Sequence, residues 1–274
     1  MRFRGSAGFT AEWDHFRFAL QNGIASVTFN RPDRLNALTF EAYADLRDLL
    51  AELPQREEAR VLVITGTGRG FCSGGDVNDI IGALQKMEGR DLLEFTRMTG
   101  AVVQRLRELP MPVVAAVNGV AAGAGAVIAL AADLRLLARS ASFAFLFTRV
   151  GLAGADMGAA YLLPRVVGLG RASELLLLGD DVDAETAERI GLANRVVEDD
   201  ELPRQTNLLV SRLADGPATA YAASKLALSR EMDMDLAGAI EFEAMTQALL
   251  MTTADHAEFY AAFQEGRKPR WTGR

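Results

Sequence analysis

Two glycine-rich segments carry the residues best suited to chemistry. The first, Gly66 to Asp76, reads GTGRGFCSGGD and follows the short apolar run Val61–Thr65. The second, Asn118 to Gly125, reads NGVAAGAG and lies between an expected buried strand and an expected buried helix. Glycines leave backbone N–H groups uncovered, so a ligand oxygen can approach them closely. The second loop also sets its N–H groups at a helix N-terminus, where partial positive charge favours an oxyanion. Taken singly, each loop is accounted for by tight strand–helix packing. Together they offer N–H groups from two directions, which is what stabilising a developing oxyanion requires. Nucleotide-loop readings fail: a dinucleotide turn needs glycine where Phe71 stands, and a Walker loop needs lysine where Asp76 stands.

Other chemistries have little to draw on. The two histidines, His15 and His256, lie at opposite ends, and neither sits in a context that suggests a triad or a metal site. The one cysteine, Cys72, excludes an intrachain disulfide framework and suits a reducing compartment. With no base beside it, it reads as a small buried filler. A net charge of −7 argues against a nucleic-acid binder. The opening stretch has no apolar region of the kind a signal peptide needs, and the chain is expected in the cytoplasm. Val113 to Ala132 is long enough on paper to span a membrane. It is mostly Ala and Gly, carries Asn118, and runs straight into Asp133 and Arg135, so strand, glycine turn and buried helix explain it better.

The elements that must position the loops follow from periodicity. With 274 residues, half of them hydrophobic, the chain can form one large domain or a core with an appendage. Phe16 to Phe29 reads as a hairpin turning at Asn22-Gly23. Thr39 opens a helix whose stripe is Phe40, Tyr43, Leu46, Leu49 and Leu50. Strands are expected at Val61–Thr65, Val113–Val117, Leu134–Leu137 and Arg195–Val197. Helices are expected at Leu92–Leu109, Gly123–Ala132 and from the cap Asp183 to Gly191. From Glu201 only helical patterns remain: Pro217–Arg230, Met234–Met251 and Ala254–Gln264. This order predicts an α/β core over residues 1–200 and a helical region over 201–274. The apolar positions Leu236, Ile240, Met245 and Leu249 exceed what a small terminal segment can bury alone.

The chain resembles the crotonase superfamily, the enoyl-CoA hydratase/isomerase family. The segments that carry the resemblance are NRPDRLNAL (Asn30–Leu38), VLVITGTGRGFCSGGDV (Val61–Val77), PVVAAVNGVAAGAGAVIALAADLRLLA (Pro112–Ala138), Gly151–Asp180 and Ala187–Val197, with FQEGRKPRW near the end. The resemblance implies a ββα spiral core with a C-terminal helical trimerisation region. It implies acyl-CoA thioester substrates, no metal, no cofactor beyond the coenzyme A of the substrate, and a homotrimer or dimer of trimers. It places the two oxyanion donors on the N–H groups of Gly75 and Ala124. Coenzyme A contacts fall on Leu35, Ala37, Ser73, Gly74, Gly75, Asp76 and Val77. Arg34, Arg267 and Lys268 suit its phosphates by charge.

The chain departs from the hydratases of that family. Their two glutamates fall on Val127 and Phe147 here, so both carboxylates are missing. Adding water needs groups that deprotonate it and return the proton. One acid remains in the matching neighbourhood, Asp156 in GLAGADMG. The resemblance implies a proton-moving base there, as in the isomerases, or alternatively a nucleophile, as in the dehalogenase branch. The other reading of Asp156 is a cap on a short helix Met157–Leu163. A catalytically silent CoA-binding subunit is the remaining alternative. Phe143, Phe145 and Phe147 alternate and suit either a bulky acyl pocket or the core. Asp133 reads as a structural pairing residue, and Glu94 and Arg97 as a solvated helix face.

Overall fold

The computed structural model describes residues 8–274; the first seven, part of the opening stretch read above, lie outside the described residues. The elements run β1 (Phe16–Gln21), β2 (Ile24–Phe29), α1 (Phe40–Glu52), β3 (Val61–Gly66), β4 (Gly70–Cys72), a π-turn at Val77–Ile81, α2 (Gly82–Leu84), α3 (Gly89–Glu108), β5 (Val113–Val117), β6 (Val120–Ala122) and α4 (Ala124–Ala131). They continue with β7 (Leu134–Ala138), β8 (Ser142–Ala144), α5 (Ala159–Val167), α6 (Leu169–Leu178), β9 (Asp181–Asp183), α7 (Ala184–Arg189), β10 (Arg195–Val197), α8 (Leu202–Ala214), α9 (Ala218–Arg230), α10 (Leu236–Leu250) and α11 (Ala254–Glu265).

The hairpin forms as its residues dictate. Asn22 and Gly23 take φ of 52° and 79°, the left-handed conformations a two-residue turn needs. Val27 and Phe29 alternate into the core. The larger sheet has the order β1-β2-β3-β5-β7-β10, antiparallel in the hairpin and parallel thereafter. A smaller sheet has the order β4-β6-β8-β9, with β4, β6 and β8 parallel. Three times the chain adds a strand to the large sheet, a short strand to the small one, and returns through a helix: β3-β4-α3, β5-β6-α4, β7-β8-α5. This is the ββα spiral of the crotonase fold.

Both glycine segments, read from sequence as loops, therefore contain a strand each, β4 and β6. Helix α4 is buried on every side, which its Ala/Gly/Val/Ile composition permits. Phe143 and Phe145 stack at 6.4 Å with no exposure, and Phe147 is buried as well, so all three belong to the core.

The helices after residue 201 differ from one another. Helix α8 sets Val210 and Ala214 on the far face of the large sheet, against Val61, Val63, Val114 and Ala116. Helix α9 is fastened by Lys225, whose Nζ donates to the carbonyls of Leu106 (2.8 Å) and Met111 (3.1 Å) and pairs with Asp133 at 2.9 Å. Asp133 also accepts from the Val113 N–H at 2.8 Å and pairs with Arg107 at 3.0 Å, the structural pairing expected of it. Helix α10 buries no residue. Leu236, Ile240, Met245 and Leu249 stand exposed on it, as do Phe259, Tyr260 and Phe263 on α11. Among the described residues no helix is long and apolar enough to cross a membrane.

Candidate active site

The two glycine segments meet. Gly74 has φ +97° and Gly123 φ +51°, conformations that side chains rarely adopt. A Cβ on Gly74 would lie 3.0 Å from the Ala122 carbonyl oxygen and 3.4 Å from the Ala124 nitrogen. The neighbouring backbone is bonded: Leu38 N–H donates to Gly74 (2.8 Å), Asp76 N–H to Leu38 (2.9 Å), and Gly123 N–H to Ala144 (2.8 Å). The N–H groups of Gly75 and Ala124 have no such partner among these bonds. Ala124 is the first residue of α4, so its N–H is one of the donors a helix leaves unsatisfied. Two unengaged N–H groups from adjacent loops, one at a helix N-terminus, can together receive an oxyanion.

Two asparagines hold the first loop in place, and the sequence reading missed both roles. Asn36, buried and at φ 58°, donates to the carbonyls of Thr67 (3.0 Å) and Gly70 (2.7 Å) and accepts from the Arg31 N–H (2.9 Å). Asn118 accepts from the Gly66 N–H (3.0 Å) and donates to Gly68 (2.9 Å) and Gly70 (3.1 Å). An asparagine inside NRPDRLNAL, at a turn where its side chain tolerates positive φ, was the available signal.

The expected coenzyme A segments lie side by side. Ser73 N–H donates to the Leu35 carbonyl at 3.0 Å, so Leu35 and Ala37 run along Ser73, Gly74 and Gly75. Arg34 and Val77 are exposed at the two ends. Asp76 departs from a ligand role for its side chain. It accepts from the N–H groups of Asn78 (3.0 Å) and Asp79 (3.3 Å) and pairs with Arg31 at 3.2 Å. Burial pushes its carboxyl up, but those N–H groups and the Arg31 guanidinium outweigh it and hold it below the usual carboxylate value. Arg267 and Lys268 follow α11, and no hydrogen bond or ion pair among the described residues links them to the Arg34–Val77 region. Arg267 is instead gripped by Glu258 and Glu265.

Asp156 lies in a loop of unusual backbone: Gly151, Met157 and Gly158 have φ of 81°, 49° and 88°. A helix capped by Asp156 at Met157 does not form. Helix α5 begins at Ala159, its cap position is Gly158, and no side chain bonds to that end. Among the described residues the carboxylate accepts only from the N–H of its neighbour Met157, at 2.9 Å. Burial raises its carboxyl above the ordinary value, against the opposing pull of that N–H. Asp156 is close enough to Tyr43 of α1 for its charge to act on the phenol. The Tyr43 oxygen lies 3.7 Å from where a Cβ of Gly75 would stand. Tyr43, assigned above to the core stripe of α1, is therefore also a neighbour of this site.

Val127, onto which the resemblance places a hydratase's first glutamate, is fully buried in α4, and Phe147 is nearly so. Cys72 is buried and without ionisable character, its thiol pushed up to about 12 by burial. His15 pairs with Asp45 at 2.6 Å. Among the described residues no three His, Cys, Asp or Glu side chains converge to hold a metal. A cavity of about 1500 Å³ opens between α3, α5 and α9. Its wall reaches Met157, beside Asp156, but not Gly75 or Ala124.

The enoyl-CoA hydratase/isomerase family matches residues 19–274. A 1,2-epoxyphenylacetyl-CoA isomerase of Escherichia coli (strain K12) is 38% identical over 256 residues, covering 93% of this chain and 97% of that one. A probable enoyl-CoA hydratase of Rhodobacter capsulatus is 40% identical, covering 94% and 98%. Among solved structures, a candidate enoyl-CoA hydratase from Streptomyces coelicolor A3(2) superposes with a TM-score of 0.98 at 61% identity, over the full length of both chains. The spiral fold, the paired glycine loops and a family match spanning nearly every described residue agree, and the chain belongs to the enoyl-CoA hydratase/isomerase family of the crotonase superfamily.

Proposed function

We propose that this acyl-CoA enzyme works through a thioester enolate, with the N–H groups of Gly75 and Ala124 receiving the oxyanion and Asp156 moving the proton. The observation that carries this reading is the position of Asp156: an under-bonded carboxylate, raised by burial, near enough to act on Tyr43, whose oxygen lies 3.7 Å from where a Cβ of Gly75 would stand. A carboxyl raised toward neutrality is better matched to taking and returning a proton than an ordinary one. With valine and phenylalanine where hydratases carry glutamates, double-bond isomerisation or an atypical lyase step fits better than hydration. The isomerase among the relatives supports the same choice. Coenzyme A lies along Leu35, Ala37 and Ser73 to Val77 in this reading, with Arg34 at its phosphates. Arg267 and Lys268 reach a coenzyme A only across a subunit contact. The exposed apolar faces of α10 and α11 support a trimer or dimer of trimers.

The test is Asp156→Asn, assayed on an acyl-CoA that the wild type turns over. Asparagine keeps the acceptor for the Met157 N–H and removes the base. The expected result is unchanged acyl-CoA binding and a kcat lower by roughly 10² or more. Near-full activity in the variant overturns the assignment. Single turnover in ¹⁸O-labelled water separates a proton shuttle from covalent catalysis: label on the Asp156 side chain means an acyl-aspartate hydrolysed by water.

A further inference from the structure

Tyr43 is 3% exposed as a residue, and its hydroxyl has no hydrogen bond among the described residues but is not one of the fully enclosed polar atoms, so the oxygen stays open to a ligand. The ring is well held, edge-on to Phe95 at 6.0 Å, with Phe40 edge-on to the same ring at 5.0 Å. A phenol whose ring is packed inward while its hydroxyl lacks a protein partner has a hydrogen bond to offer a ligand. Helix α1 aims this one at the backbone of Gly75, 3.7 Å from the Cβ position. Burial, with Cys72 and Asp156 nearby, raises its pKa well above that of free tyrosine, so it stays protonated and keeps a proton to donate.

We propose that Tyr43 is a third donor to the oxyanion, its neutral hydroxyl bonding the thioester oxygen as the enolate forms beside the Gly75 N–H. The proposal rests on the enolate reading above. A ground-state carbonyl oxygen has two lone pairs, which the N–H groups of Gly75 and Ala124 occupy. The enolate oxygen gains a third as the Cα–H electron pair moves into the C=C bond and the carbonyl π pair moves onto oxygen. The proton goes to Asp156, and the phenol keeps its own. A donor used only by the charged form stabilises the transition state without tightening substrate binding.

The experiment is exchange of the α-protons of phenylacetyl-CoA in D₂O, followed by mass spectrometry, for the wild type and Tyr43→Phe. The variant retains the ring and its packing and loses only the hydroxyl. It is expected to exchange roughly ten- to a hundredfold more slowly, with the dissociation constant for phenylacetyl-CoA unchanged. Its thermal midpoint is expected to match that of the wild type, because the ring and its packing are kept and no protein hydrogen bond is lost. Exchange at the wild-type rate overturns the role of Tyr43 and leaves the enolate reading standing. A lowered midpoint with weakened binding also overturns it, in favour of a structural role. Absence of exchange by the wild type, on phenylacetyl-CoA and on a wider acyl-CoA panel, overturns the enolate reading and this proposal with it.

Discussion

Gly125 presses against the backbone of Cys72: a Cβ at Gly125 would stand 2.0 Å from the Cys72 carbonyl oxygen. The first turn of α4 thereby sits directly on the end of β4, a segment some fifty residues earlier in the chain. That contact brings the Ala124 N–H to the edge of the first glycine loop. The position has room for no side chain, and the atom in the way is backbone, which cannot swing aside.

Gly125→Ala is therefore expected to do more harm than an ordinary overpacking substitution, which costs about 1–3 kcal/mol. Thermal unfolding should show a clear drop in midpoint, and the stabilisation of the protein by acyl-CoA should fall with it. A variant as stable and as responsive as the wild type would show that α4 can retreat without cost.

The raised carboxyl of Asp156 fixes the sign of a pH effect. The folded chain holds this proton to higher pH than the unfolded chain, so stability falls as pH rises through that interval. Asp156→Asn removes the penalty. The variant should unfold at a higher temperature than the wild type at pH 7, and the gap should close as pH drops below about 4. Calorimetry at both pH values checks this; a gap that does not change with pH contradicts it. For catalysis the direction reverses, since the base must be ionised: kcat should rise with pH along a limb lying above the ordinary carboxylate range.

Lys225 ties α9 to the core through two carbonyls and Asp133. Lys225→Met keeps most of the stem and strips the ammonium, leaving those carbonyls without their donor. A loss of about 3 kcal/mol is expected, because removing one partner of a buried pair leaves the other uncompensated. Denaturant titration measures it. Adding Asp133→Asn should recover part of the loss; a strictly additive double variant would mean the pair is not coupled.

Missing acids predict slow hydration. General acid–base groups are worth ~10²–10⁴ each. Crotonyl-CoA hydration should fall short of a two-glutamate hydratase, assayed side by side, by at least one such factor. Comparable rates would mean that other groups activate the water.

Assembly is expected to cover α10. Light scattering at micromolar protein should give a trimer or hexamer, and Leu249→Glu, placed on an exposed position of that helix, should shift the mass downward while the helical circular dichroism stays. A monomeric wild type removes this expectation.

Much of the fold was legible in local pattern. The hairpin at Asn22-Gly23, the helix capped by Thr39, the helix capped by Asp183 and the apolar strands β3, β5 and β7 each announce themselves within a dozen residues, because turn chemistry, caps and periodicity are local. The family motifs likewise put Gly75, Ala124 and Asp156 forward. Strands β4, β6 and β8 were not legible. Each is three residues long and gains its hydrogen bonds only from strands far away in the chain, so no alternation marks it. The helix expected at Met157 was misplaced because positive φ at Met157 and Gly158 delays its start to Ala159. Tyr43 shows the division most clearly. Helical periodicity correctly turned its ring inward, but what lies opposite a buried side chain is set by the packing of separate segments. Only the tertiary structure sets the Tyr43 oxygen of α1 beside the first glycine loop and within reach of the Asp156 charge, a relationship no local pattern encodes.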